Sequence, residues 1–364
     1  MNILFIISIF ACLFTYLGSR HKIRFGLEIG FIILFCFSAF RFAYGNDYLN
    51  YAALFETINS DQFTFKSLIN KEIYKEPGWA LLNILCEPLT FFGLQIIVSL
   101  LTVGSVYFVI KKDVSEKWQP LAVLIYVFNF SFYALSLSMM RQSLAMSIFL
   151  IAVHFMMKSN KITSLLITYV ASLFHTSALI LIPFMFIQYI NVKNVKGWIV
   201  LCVIASFVLF MGADIVDSIF GAVLDNDSFS MYNSQDNLSG SSTIGLGAIL
   251  MFFIPFIVFA SALSEQNLSY NKYVLLLAMI TTVLIPLSMH ASLFMRVTFY
   301  FNILYLLAIP IALDNMSKSQ HRKILIGLYL IGMLLTYYMT INNVTYSKSY
   351  SEYMTIFEAG LKML

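Results

Sequence analysis

Charge is the scarcest thing in this sequence. Asp, Glu, Lys and Arg make up 11% of its 364 residues, where a soluble domain carries about 25%. Hydrophobic residues make up 60%. No soluble fold of this length hides that much apolar surface, so lipid is the implied solvent. The formal charge of +4 is too small and too dispersed to attract nucleic acid. Cysteine is sparse too. Cys12, Cys36, Cys86 and Cys202 each lie in an apolar stretch without CxxC or Cys/His spacing, which argues against a disulfide framework or a thiolate metal centre. There is no Gly-rich phosphate loop, no soluble catalytic domain, no strong internal repeat and no strong acidic cluster. Neither a cofactor nor a metal is therefore expected. Residues 1–17 lack a basic leader and a small-residue cleavage site, so they read as a retained first helix.

What fills the chain instead is apolar runs near the length of a bilayer-spanning helix, about 20 residues. They fall near 2–18, 27–43, 89–110, 118–136, 139–157, 162–175, 177–190, 197–213, 243–263, 273–290, 293–313 and 324–341. The pair 162–175 and 177–190 reads as a tight helical hairpin or a partly re-entrant element. The pattern predicts an all-α, polytopic integral membrane protein of about 12 transmembrane helices, one transmembrane domain over residues 1–364.

Short basic loops orient it, because Lys and Arg favour the cytoplasmic side. Arg20, Lys22 and Arg24 fall on one side of these spans. Lys111, Lys112 and Lys117 fall there too, as do Lys158, Lys161, Lys193, Lys196, Lys318, Arg322 and Lys323. Residues 79–110 are apolar enough for two crossings, but Glu87-Pro88 interrupts them and two crossings break the charge pattern. Trp79–Cys86 is therefore expected as a short helix at the outer surface, or as a re-entrant one. Pro77 suits its first turn, where the missing N–H is not needed. Two longer loops face the outer side: 44–78, with an interfacial helix over about 48–58, and 214–242, rich in Asp, Asn and Ser. Asp225-Asn226-Asp227 in the second reads as solvated loop.

Charged groups in or beside a span cost roughly 2.5–3.5 kcal/mol at its centre and mark function by default. Arg41 ends the second span, Arg141 opens the fifth, His175 closes the sixth and Arg296 opens the eleventh, just after His290. All fall toward the outer face, against the positive-inside bias, so loop topology does not explain them. Arginine's planar fork of donors suits phosphate oxygens, and three arginines at similar depth point to one anionic site. Each arginine alone is also accounted for by snorkelling, and His175 by a structural bond to backbone. After Arg41, Gly45-Asn46 signals a turn and Asp47 suits a helix cap. Tyr48 and Tyr51 then share a face, with Phe55 one turn on. That face suits sugar rings, or more simply an aromatic belt. Glu76 is either a second outer carboxylate or a solvated loop acid.

Four motifs carry a resemblance. They are the run from Arg41 to Tyr51, Glu76-Pro77-Gly78-Trp79, Met140-Arg141-Gln142-Ser143-Leu144-Ala145 and Phe174-His175-Thr176-Ser177-Ala178-Leu179. In order and spacing, over roughly residues 40–180, the chain resembles the Wzy-type polysaccharide polymerases, specifically the EpsG-like branch. The C-terminal half matches in hydropathy and in Arg296. The resemblance implies a GT-C-like glycosyltransferase of the bacterial inner membrane with a periplasm-facing site. Such enzymes join oligosaccharide repeat units carried on undecaprenyl diphosphate into O-antigen, capsule or exopolysaccharide. It further implies diphosphate binding by Arg141 and Arg296, with Arg41 assisting or holding Asp47, and base catalysis by His175 or Asp47, His175 being alternatively a donor to the diphosphate. Tyr48, Tyr51, Glu76 and His290 are then expected at the sugars. The implied partners are the lipid-linked oligosaccharide, a flippase and a chain-length regulator. Breaking a sugar–diphosphate bond builds negative charge on the leaving group, which preorganised cations stabilise.

Two other classes share parts of this pattern. A flippase or transporter of the same lipid-linked oligosaccharide would place its site near the midplane, often between repeated halves. An O-antigen ligase would use the same donor with a lipid A-core acceptor, while a membrane acyltransferase would turn its histidine toward the cytoplasmic side.

Overall fold

The computed structural model describes residues 3–60, 67, 70–71, 73–190, 195–211, 247, 249–264, 271–290, 292–314 and 320–363. Among them the protein is all-α except for one pair of two-residue strands. The expected outer loop 214–242, with Asp225-Asn226-Asp227, lies outside the described residues.

Helices α1 (Ile3–Ser19), α2 (Gly26–Ala39), strand β1 (Arg41–Phe42), α3 (Tyr48–Ser60), α4 (Pro77–Leu85), α5 (Thr90–Asp113), α6 (Gln119–Phe128), α7 (Met140–Met157) and α8 (Lys161–Phe174) follow in order. The run Thr176–Tyr189 is a chain of short helical turns. Then come α9 (Val195–Met211), α10 (Ile254–Ser264), α11 (Asn271–His290), α12 (Ser292–Asn302), α13 (Tyr305–Asp314), α14 (Gln320–Ile341), β2 (Met354–Thr355) and α15 (Ile356–Met363). Four segments are long and apolar enough to cross a bilayer: Glu87–Asp113, Met140–Met157, Phe294–Asp314 and Lys323–Ile341, with shorter apolar helices beside them. Ile9, Phe10 and Leu13 on α1, and Ile204, Phe207 and Val208 on α9, turn outward. Such faces are aggregation surfaces in water but the normal lipid-facing side of a membrane helix. The chain is a membrane protein.

Two expectations are redrawn. The run 118–136 is not one helix. α6 stops at Phe128, Asn129 accepts Ser131 N–H through its side chain at 3.2 Å, and a single turn, Tyr133–Ser136, follows. The run 27–43 ends as helix at Ala39, because Arg41 and Phe42 leave it to pair antiparallel with Thr355 and Met354. The short helix expected from Trp79 begins at Pro77, and the interfacial helix expected over 48–58 runs to Ser60.

The chain folds as two compact units, residues 1–185 with 334–364, and residues 186–333. In the first, α7 is buried on nearly every side, as a helix apolar all round must be, and packs against α5 and α8. In the second, Pro286 inside α11 cannot donate to the Thr282 carbonyl. Ser206 Oγ supplies a bond to that carbonyl at 3.4 Å, and Thr282 Oγ1 donates to Phe252 O at 2.8 Å. A cavity of about 390 Å³ sits beside this proline, between Cys202, Phe207, Phe256 and Pro286.

Candidate active site

The first unit brings Glu76, Arg141 and His175 together from three places in the chain. Glu76 has an extended backbone and is the residue before α4, whose first turn holds Pro77. Negative charge is favoured at that helix end. Arg141 is the second residue of α7. His175 follows the last residue of α8 in an extended conformation. Gly78 makes the approach possible. A Cβ there would lie 2.9 Å from both Cβ and O of Leu173, so only glycine lets α4 meet the last turn of α8 this closely.

Glu76 is the hub and is fully buried. Its Oε1 lies 2.9 Å from His175 Nδ1 and accepts Thr176 N–H at 3.2 Å. Its Oε2 accepts from Arg141. Burial alone pushes this carboxyl up. The His175 hydrogen bond and the Arg141 charge outweigh burial and hold its pKa down at about 2. The group is thus ionised at neutral pH, and a carboxylate only accepts. His175 Nδ1 therefore carries the proton, which in the neutral ring leaves Nε2 as the basic nitrogen. Removing Glu76 would leave the Arg141 charge without its counter-ion, the kind of loss that costs about 3–5 kcal/mol for a buried pair.

Arg141 is held between two aromatic rings, 5.8 Å from the Tyr51 centroid and 5.2 Å from that of Tyr74. It donates to Tyr74 Oη at 2.5 Å as well as to Glu76, and its backbone N–H lies 3.5 Å from Tyr51 Oη. The Arg141 side chain is 18% exposed, yet its Nε is enclosed with no hydrogen-bond partner among the described residues.

Arg41 is buried at 1% exposure and bonds the Ser38 carbonyl, Ser38 Oγ at 3.4 Å and Leu137 O at 3.4 Å. It ties the end of α2 to the turn before α7, which corrects its expected place on a diphosphate. Tyr48 and Tyr51 are also buried. Their rings pack edge-on against Phe91 and Trp79, so the expected sugar platform is internal packing. Glu76 is neither a solvated loop acid nor a sugar contact, because both oxygens are engaged inside the protein. Asp47 precedes α3, its carbonyl accepting Tyr51 N–H at 3.0 Å, and its side chain is half-buried. Arg296 lies on α12 and His290 ends α11, both in the second unit; the His290 side chain lies outside the described residues. The sequence reading missed Tyr74. The available signal is its place two residues before Glu76, and both side chains reach Arg141.

The EpsG family model matches residues 25–355, and the chain belongs to that family. No curated protein and no solved structure matches it.

Proposed function

We propose that this EpsG-family chain is a membrane glycosyltransferase. It polymerises oligosaccharide units carried on a polyprenyl diphosphate, at the outer face of the bacterial cytoplasmic membrane. The observation that carries the reading is one buried carboxylate, Glu76, shared between an arginine and a histidine. This arrangement serves both halves of a glycosyl transfer. On the acceptor side, Glu76 fixes His175 with Nδ1 protonated, so Nε2 takes the proton of an acceptor hydroxyl as that oxygen bonds the anomeric carbon. On the donor side, the bond from the anomeric carbon to the diphosphate oxygen breaks and its electron pair leaves with the diphosphate. Arg141 answers that charge with its guanidinium, through the donors Glu76 does not use. Tyr51 and Tyr74 wall the guanidinium, which strengthens its field at the leaving group.

Sidedness follows from charge. The Lys-rich loops after α5 and α7 belong to the cytoplasm, so the opposite end of α7, with Arg141, faces outward. Product is O-antigen, capsule or exopolysaccharide, the donor is undecaprenyl-diphosphate-linked, and a flippase supplies it. The test is complementation of a deletion strain with Arg141→Ala and Arg141→Lys at matched protein levels. Both variants are expected to leave surface glycan at one repeat unit, since lysine lacks the planar fork. A full-length glycan ladder from Arg141→Ala refutes the assignment.

A further inference from the structure

The chain beyond α14 turns back onto the segment that leads into the site, and both belong to the first unit. Ile356 N–H donates to Phe40 O at 2.9 Å and Gly45 N–H to Ser349 O at 3.1 Å. Tyr353 Oη donates to Phe37 O at 2.9 Å. Tyr350 is fully buried. Its hydroxyl lies 2.8 Å from Ala134 O and 2.8 Å from Ser138 Oγ, and Ser138 Oγ accepts Asn46 N–H at 2.9 Å.

The ends of this chain fix its direction, because an amide N–H only donates and a carbonyl only accepts. Asn46 N–H donates to Ser138, Ser138 to Tyr350, and Tyr350 to the Ala134 carbonyl. Each hydroxyl donates once and accepts once. Three segments are joined this way: the turn before α3, the turn before α7 and the C-terminal tail. The first two also touch by backbone. Gly45 has φ +107°, and a Cβ on it would lie 2.3 Å from Leu137 O. Ser138 stands three residues before Arg141, and Asn46 five before Tyr51, whose ring and hydroxyl face Arg141.

We propose that Tyr350 is a positioning residue for the Glu76–Arg141–His175 site, the C-terminal tail being a strap that fixes Tyr51 against Arg141. The strap sets the direction in which Arg141 presents its unused donors. What those donors bind rests on the function proposed above; the strap itself does not.

The test uses the full chain with Tyr350→Phe, Ser138→Ala and the double variant. Phenylalanine keeps the buried ring and its contacts with Tyr44 and Phe130, and removes only the hydroxyl. In purified protein, hydrogen–deuterium exchange over residues 44–56 and 134–141 is expected to quicken about tenfold, the worth of one buried hydrogen bond. Exchange over residues 150–157, at the far end of α7, stays at the wild-type rate. In cells, repeat units per glycan fall about three- to tenfold at equal protein level, and the double variant is no worse than either single one, as for groups in one network. A purely structural role lowers the amount of protein and not the length made by each molecule. Unchanged exchange in both single variants overturns the strap. Faster exchange with full-length glycan overturns the positioning role. If Tyr350→Phe fails to accumulate, Ser138→Ala makes the same comparison. Arg141→Ala run in parallel separates the two ideas: full-length glycan there sinks the polymerase reading and leaves the exchange result standing.

Discussion

Each end of α7 carries a carboxylate, a histidine and a cation, in different company. At one end Glu76 is shared by Arg141 and His175. At the other, Asp113 Oδ2 lies 2.7 Å from His154 Nδ1 and Asp113 Oδ1 lies 3.9 Å from Lys158 Nζ. Thirteen residues of helix separate Arg141 from His154, about 20 Å at the usual rise. Both carboxylates are enclosed, the Asp113 side chain being 1% exposed. The cations differ. Lys158 is 60% exposed, a flexible point charge at long range. It stands among Lys111, Lys112, Lys117 and Lys161, where the positive-inside bias already accounts for basic residues. Arg141 is walled by two tyrosines, and its side chain is 18% exposed. A buried carboxylate and a histidine make a clasp between helices. They make a candidate site when the cation beside them is sheltered from water and still has donors to give.

The largest test of that contrast pairs the histidines. His175→Ala is expected to cut polymer formation at least about 100-fold, the usual worth of a positioned base. His154→Ala leaves the glycan ladder at full length. The opposite pattern on a surface-glycan gel would move the site to the other end of α7. Next is Asp113→Asn, which weakens a bond to the His154 ring. It is expected to cost about 1–3 kcal/mol in a detergent melting experiment, with chain length unchanged. Third is pH. Glu76 is held at about 2 against an ordinary 4.5. A depressed carboxylate contributes its full stability above the higher value and loses it as pH falls toward the lower one. Emission from Trp79, with Trp118 and Trp198 replaced by Phe, should therefore hold at pH 5 and change between 4.5 and 2. A transition centred near neutral pH would contradict the arrangement. Smallest is Lys158→Ala, expected to change stability by less than about 0.5 kcal/mol, because an exposed pair is screened.

Much of this was legible in the sequence. Arg141 and His175 stand out because they are basic residues at the ends of apolar runs opposite the short Lys-rich loops. Pro77 marks the start of α4, and Gly45-Asn46 the turn into α3. Arg41 misled for a reason that lies far away in the chain. It sits at the end of an apolar run, but its backbone pairs with Thr355, and no local pattern announces that partner. Glu76 misled because an acid before a proline in a polar loop looks solvated. Its burial depends on Gly78 touching Leu173, a contact between helices about 95 positions apart. The Asp113–His154 clasp was hidden by the lysines around it, which topology had already explained.

The central claim is that the Glu76 carboxylate organises Arg141 and His175 into one site. Glu76→Gln tests it most directly, because it preserves shape and removes charge. Expressed at the wild-type level in a deletion strain, it should leave surface glycan at a single repeat unit. A normal ladder from that variant would contradict the account.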